Sequence, residues 1–166
     1  MDLYQTTMAS PVGLLTVIGS GRGLRAVLWA TERPGRVKLP ADVPTSTGGS
    51  GGPRVLAATV EQLGEYFAGE RQQFELPLDL VGTPFQQKSW RSLADIPYGS
   101  TVSYGTQAER LGRPTASRAV GAANGRNPVS IVLPCHRVVG ANGSLTGFAG
   151  GLTAKRFLLN LEGLTC

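Results

Sequence analysis

The chain has 166 residues, 41% of them hydrophobic and 16% charged, with a formal net charge of +5. That length and composition suit one domain or two small ones and exclude wholesale disorder. No apolar run approaches the ~18 residues of a membrane span, and residues 1–10 hold neither a basic n-region nor a long apolar stretch, so neither membrane insertion nor a secretory leader is expected.

The first third reads as strands. Leu14–Ile18 and Leu24–Trp29 are short apolar runs separated by Gly19, Gly21 and Gly23, the pattern of a hairpin. Residues 31–53 lose all periodicity, and residues 45–53 have the composition of a flexible loop or surface insertion. From Arg54 to Ala68 the residues Val55, Leu56, Val60, Leu63 and Phe67 follow helical spacing, with Gly69 at the stop. Phe74–Leu80 reads as a strand that Pro77 confines to an edge. Thr83-Pro84 is a helix start, threonine at N-cap and proline at N1, for a helix running to Ala94. Ile96–Gly99 is a turn. Ser103 caps a short helix over Tyr104–Leu111 that ends at Gly112. A further helix fits Pro114–Ala123, with Pro114 at N1 and Gly125 just past its end. Two short helices joined by a glycine-containing turn suggest a helix-turn-helix. Asn127–Leu133 reads as an extended run, and an amphipathic helix covers about Leu152–Glu162.

The charge is uneven. Residues 1–80 hold seven Lys/Arg and eight Asp/Glu, whereas residues 81–166 hold nine and three. A polyanion is one partner class that fits this basic half, and a merely solubilising surface fits it equally well. In the helix after Pro114 the residues Ala116, Ser117, Ala119, Gly121, Ala122 and Ala123 are small, with Arg118 the one long cation among them. Small residues permit close helix packing, or close approach to a DNA groove.

The two cysteines, Cys135 and Cys166, cannot make a disulfide framework, and with a single histidine they are too few for the usual four-ligand zinc site. The expected compartment is the reducing cytoplasm. Cys135 is followed by His136, the only histidine, and by Arg137. A thiol becomes a nucleophile only as thiolate, and a neighbouring base or cation favours that form. Neighbours on an extended segment face opposite ways, so a direct Cys–His pair needs a turn or a bridging water. Some third group must orient the imidazole. Glu162 is a candidate, being one of three acids in this half with Asp95 and Glu109. Cys166 reads as an incidental exposed thiol.

The run Pro134-Cys135-His136-Arg137-Val138 resembles the acceptor-cysteine signature of the O6-alkylguanine-DNA alkyltransferases (methylated-DNA–protein-cysteine methyltransferases). Ile96–Gly99 with Val102-Ser103-Tyr104-Gly105 is similar to the family's lead into its helix-turn-helix, and Ser117–Gly121 to its recognition helix. Asn127-Pro128 is similar to its asparagine turn. Ser144–Phe148, Gly150-Gly151 and Lys155 resemble its closing loop and final helix. The likeness is close over residues 80–163. It extends loosely to Ser10–Gly13 and Tyr66–Gly69.

The resemblance implies an α+β fold in two domains. Residues 1–80 would form an α/β domain with a small antiparallel, ribonuclease-H-like sheet. Residues 81–166 would form a mainly helical domain that carries the helix-turn-helix and the alkyl acceptor. It implies irreversible, single-turnover transfer of an alkyl group from O6 of guanine in double-stranded DNA to Cys135, with O4-alkylthymine as an open second substrate. The base must leave the stack first. Arg118 would fill the gap, with Gly121, Ala119 and Ala123 along the same helix at the DNA. Tyr104 would help rotate the 3′ phosphate and bond the guanine. His136, oriented by Glu162, would activate Cys135 through a water, and Asn127 would brace the turn. Pro134, Val138, Phe148 and Ala149 would line the pocket, with the Cys135 and Val138 carbonyls accepting from the guanine amino group. No cofactor, metal or membrane is implied, and the chain would be monomeric in solution, with cooperative assembly on DNA left open. Phe148 departs from the family's common tyrosine, and the N-terminal half has no Cys or His for the zinc some members bind there. Other readings remain open: a lesion-binding relative that does not repair, which usually lacks the cysteine; a cysteine hydrolase; and a DNA-binding regulator.

Overall fold

A computed structural model describes residues 2–46 and 53–165. The glycine-rich stretch thus lies mostly outside the described residues, as does Cys166. Two compact units divide the chain, Met1–Val81 and Gly82–Cys166.

In the first unit β1 (Tyr4–Met8), β2 (Leu15–Ser20) and β3 (Gly23–Leu28) form an antiparallel sheet in that order. β2 and β3 are the expected hairpin; β1, pairing Tyr4 with Gly19 through Met8 with Leu15, adds a strand that the apolar runs do not mark. α1 (Arg54–Phe67) packs on β2 and β3. A Cβ on Gly19 would stand 2.5 Å from Val55 Cγ1, so glycine is what lets α1 come this close. Residues 31–46 are aperiodic but not idle. Val37, Leu39 and Val43 pack on a cluster of Leu3, Ile18 and Ala26.

The strand expected over Phe74–Leu80 does not form. Only Leu78 bridges, to Leu24, through Leu24 N–H to Pro77 O at 2.8 Å and Asp79 N–H to Leu24 O at 2.8 Å. Pro77 has no N–H to extend the ladder. Side chains then fasten the segment instead: the Asp79 carboxylate accepts from Ser20 Oγ at 2.7 Å and Arg25 Nη2 at 2.9 Å.

The second unit holds α2 (Pro84–Ser92), continued by a 3-10 turn over Leu93–Asp95, then α3 (Tyr104–Arg110), α4 (Ser117–Gly125) and α5 (Leu152–Leu161). β4 (Val102–Ser103) and β5 (Val138–Val139) pair in parallel. The caps follow the sequence. Thr83 and Gln86 make a reciprocal capping box with Pro84 at N1. Ser103 Oγ accepts from Thr106 N–H at 3.0 Å. α4 starts later than expected, because Pro114 sits in a β-turn closed by Ala116 N–H to Arg113 O at 2.9 Å.

α2, α3 and α4 are joined by buried polar groups. Gln107 Nε2 donates to Ser89 O at 3.2 Å, and Asn124 Nδ2 donates to Gln107 Oε1 at 2.8 Å. The Trp90 indole N–H reaches Ala123 O at 2.7 Å.

Candidate active site

The segment before Cys135 is a loop, not the extended run expected. Asn127 is fully buried; its Nδ2 donates to Leu133 O at 2.8 Å and its Oδ1 accepts from Val129 N–H at 3.1 Å. Leu133 N–H also reaches Val129 O at 3.0 Å. These bonds close the chain on itself and hold Ile131, a β-branched residue, at φ 75°. Such a backbone state costs roughly 1–3 kcal/mol and persists only where the surroundings enforce it.

The loop delivers Cys135, His136 and Arg137 as one 3-10 turn. Cys135 is 6% exposed, and His136 is fully buried. The turn also removes the geometry assumed for an extended segment, in which neighbours oppose one another.

Glu162, the C-cap of α5, is the hub. Its Oε2 accepts from His136 Nε2 at 2.7 Å and from Arg137 Nη2 at 3.1 Å. Its Oε1 accepts from Arg137 Nε at 2.8 Å and from Gly99 N–H at 3.1 Å. Arg137 Nη1 further donates to Ile96 O at 2.7 Å, and its guanidinium lies 5.6 Å from the Tyr98 ring centroid. A carboxylate only accepts, so the neutral imidazole carries its proton on Nε2 and presents Nδ1 as a bare acceptor. Nδ1 is buried and has no hydrogen-bond partner among the described residues. Burial holds the His136 pKa below the ordinary imidazole range, against the opposing pull of Glu162. The ring is therefore a neutral base at physiological pH.

Lys155 is 1% exposed and donates to Val138 O at 2.8 Å. Burial lowers its pKa, while the charge of Cys135 raises it. Its ammonium lies 5.8 Å from the Phe148 ring centroid. Val138 and Pro134 are buried, whereas Phe148 and Ala149 are half-buried. Val138 O accepts from Lys155 Nζ, and Cys135 O accepts from Val138 N–H.

Tyr104 opens α3, and its hydroxyl lies 2.7 Å from Thr146 Oγ1. Along α4, Arg118 and Ala119 are exposed and Gly121 is half-buried. Gly121 faces the Tyr104 ring, since a Cβ there would stand 3.7 Å from its Cδ1. Ala123 is the exception among the small residues expected at DNA. It is 3% exposed and turned into the protein, with its carbonyl taken by Trp90. Among the described residues no group of three or more His, Cys, Asp or Glu is placed to hold a metal.

Four participants went unread as such. The sequence reading takes Arg137 as a cation beside Cys135 that favours the thiolate, not as a partner of Glu162, and Tyr98, Thr146 and the Gly99 amide carry no separate signal. Lys155 was seen only as a family match. Arg137 directly follows the Cys-His pair in a half with only three acids, and that scarcity was the available hint that it pairs with one of them.

The sequence model of the 6-O-methylguanine DNA methyltransferase ribonuclease-like domain matches residues 3–80, and that of the same family's DNA binding domain matches residues 84–164. A methylated-DNA–protein-cysteine methyltransferase of Mycolicibacterium paratuberculosis is 51% identical over 159 residues, covering 94% of this chain and 90% of the relative. One of Methanosarcina acetivorans is 45% identical over 161 residues, covering 97% and 99%. The crystal structure of Mycobacterium tuberculosis OGT in complex with DNA superposes with a TM-score of 0.84 at 43% identity, covering 98% of this chain and 92% of that one. A mixed helix–sheet chain with a nearly buried thiol beside a carboxylate-bound imidazole is the setting of a cysteine alkyl acceptor. This chain belongs to the 6-O-methylguanine DNA methyltransferase family.

Proposed function

We propose that the protein repairs DNA directly, moving the alkyl group of O6-alkylguanine in double-stranded DNA onto Cys135. The observation that carries this reading is the Cys135–His136–Glu162 centre. It pairs an almost buried thiol with a neutral, oriented base whose Nδ1 is uncommitted.

His136 Nδ1 takes the thiol proton through one water, and Glu162 stabilises the imidazolium. The Cys135 thiolate attacks the alkyl carbon in line. The S–C bond forms as the C–O6 bond breaks, and the electron pair passes to the guanine, which takes up a proton. The product is a thioether, which water does not displace. Each chain therefore acts once, without a cofactor.

Inside the stack the carbon cannot be reached, so the nucleotide is turned out at a cost of a few kcal/mol. In this reading α3 and α4 are the helix-turn-helix, and exposed Arg118 fills the gap. Ala119 and Gly121 lie along the DNA while Ala123 packs inside. Tyr104 meets the 3′ phosphate and the flipped base, and Asn127 holds the loop that carries the thiol. Pro134, Val138, Phe148 and Ala149 form the pocket. The protein acts as a monomer in a reducing compartment such as the cytoplasm, where its thiol stays reduced. No described helix is long and apolar enough to cross a membrane.

The test is a titration of duplex O6-methylguanine with protein, followed by quantifying the remaining lesion. The reading expects one lesion lost per chain and then a plateau. Turnover beyond one, or binding without loss of lesion, contradicts it.

A further inference from the structure

The loop between β5 and α5 is tied down at Thr146 from two sides. Its hydroxyl lies 2.7 Å from the Tyr104 hydroxyl. Its carbonyl lies 3.5 Å from Lys155 Nζ, the same ammonium that holds Val138 O at 2.8 Å. Lys155 is buried, so it is a fixed anchor rather than a wandering surface charge. Tyr104 is thus bounded twice, with its ring beside Gly121 of α4 and its hydroxyl beside Thr146.

Each hydroxyl has one hydrogen to give and two lone pairs to receive. If Tyr104 donates to Thr146, its hydrogen is spent inside the protein. If Thr146 donates, the phenolic oxygen is held and its own hydrogen is left for DNA. Only the second arrangement lets the contact with Thr146 persist while Tyr104 works.

We propose that Thr146 is a positioning residue for Tyr104: its hydroxyl donates to the phenolic oxygen and leaves the tyrosine hydrogen for the DNA. This rests on the reading that Tyr104 meets the DNA during alkyl transfer. Lys155 completes the device by pinning the Thr146 backbone. Thr146→Val keeps the branched shape and removes the donor, while Thr146→Ser keeps the donor.

The experiment is single-turnover methyl transfer from duplex O6-methylguanine, measured across DNA concentrations, with all variants verified as folded by circular dichroism. Thr146→Val is expected to lower the rate at saturating DNA about threefold to tenfold, the worth of one hydrogen bond, at unchanged half-saturating DNA concentration. Thr146→Ser is expected to stay within about twofold of the parent. Tyr104→Phe combined with Thr146→Val is expected to be no slower than Tyr104→Phe alone, since the two act through one contact. A normal rate in Thr146→Val, a loss that serine does not restore, a loss confined to DNA affinity, or additive losses in the double variant would overturn the proposal while the parent still reacts. A parent chain that transfers no methyl group would overturn both the proposal and the reading beneath it.

Discussion

At Glu162 a single buried carboxylate faces His136, Arg137 and the Gly99 amide. Removing one member of a buried pair leaves the other charge unmatched, at a cost of about 3–5 kcal/mol. Glu162→Gln is therefore expected to lower the unfolding free energy by about that amount in urea titration, through the stranded Arg137. His136 adds a pH dependence. Its folded pKa lies below the ordinary value of about 6.5, so as pH falls through 6.5 the unfolded chain takes up a proton that the folded chain refuses. The stabilisation is complete above 6.5 and is lost as pH falls toward the folded value, by at most about 1.4 kcal/mol per pH unit. Urea midpoints between pH 7.5 and 5.5 are expected to fall in the parent chain and to flatten in His136→Gln. Cys135, His136 and Glu162 were legible because each is a scarce residue type in this half. The bond from Arg137 to Glu162 was not, because an arginine next to a cysteine reads as support for the thiolate until its partner, 25 positions away, is known.

The helices were the most legible elements, since their ends are written in Thr83, Pro84, Ser103 and Gly112. What resisted was backbone whose shape is set by side chains distant in sequence or by an unusual dihedral. Asn127–Leu133 has strand composition, but the Asn127 amide folds it into a loop. The 74–80 segment lost its ladder to Pro77 and is fastened by the Asp79 carboxylate. The register of α3 against α4 depends on the buried Gln107–Asn124 pair, which apolar periodicity does not reveal. Asn124→Leu would leave the Gln107 amide with an unmet acceptor in the interior, a cost of about 1–3 kcal/mol. Changing both residues to leucine is expected to recover much of that loss. Thermal unfolding of the two single variants and the double variant checks this, and strictly additive losses would contradict it.

The +5 of the whole chain understates the charge of the second unit, which is +6, and matches what that unit shows to its surroundings. Of the nine cations after residue 80, Arg137 and Lys155 are buried at the site. The other seven are exposed, against the exposed carboxylates Asp95 and Glu109. A basic surface of this kind holds phosphates in place without reading bases. Duplex affinity measured from 50 to 200 mM salt is therefore expected to fall steeply, log–log linear, through counterion release. A flat response would remove the polyanion from the account.

The most direct measurement is the intact mass of the protein before and after incubation with duplex DNA bearing O6-methylguanine, followed by peptide mapping. One methyl group per chain is expected on the peptide that contains Cys135, and none in Cys135→Ser. An unchanged mass with a reduced thiol, or a methyl group on any other residue, would contradict it.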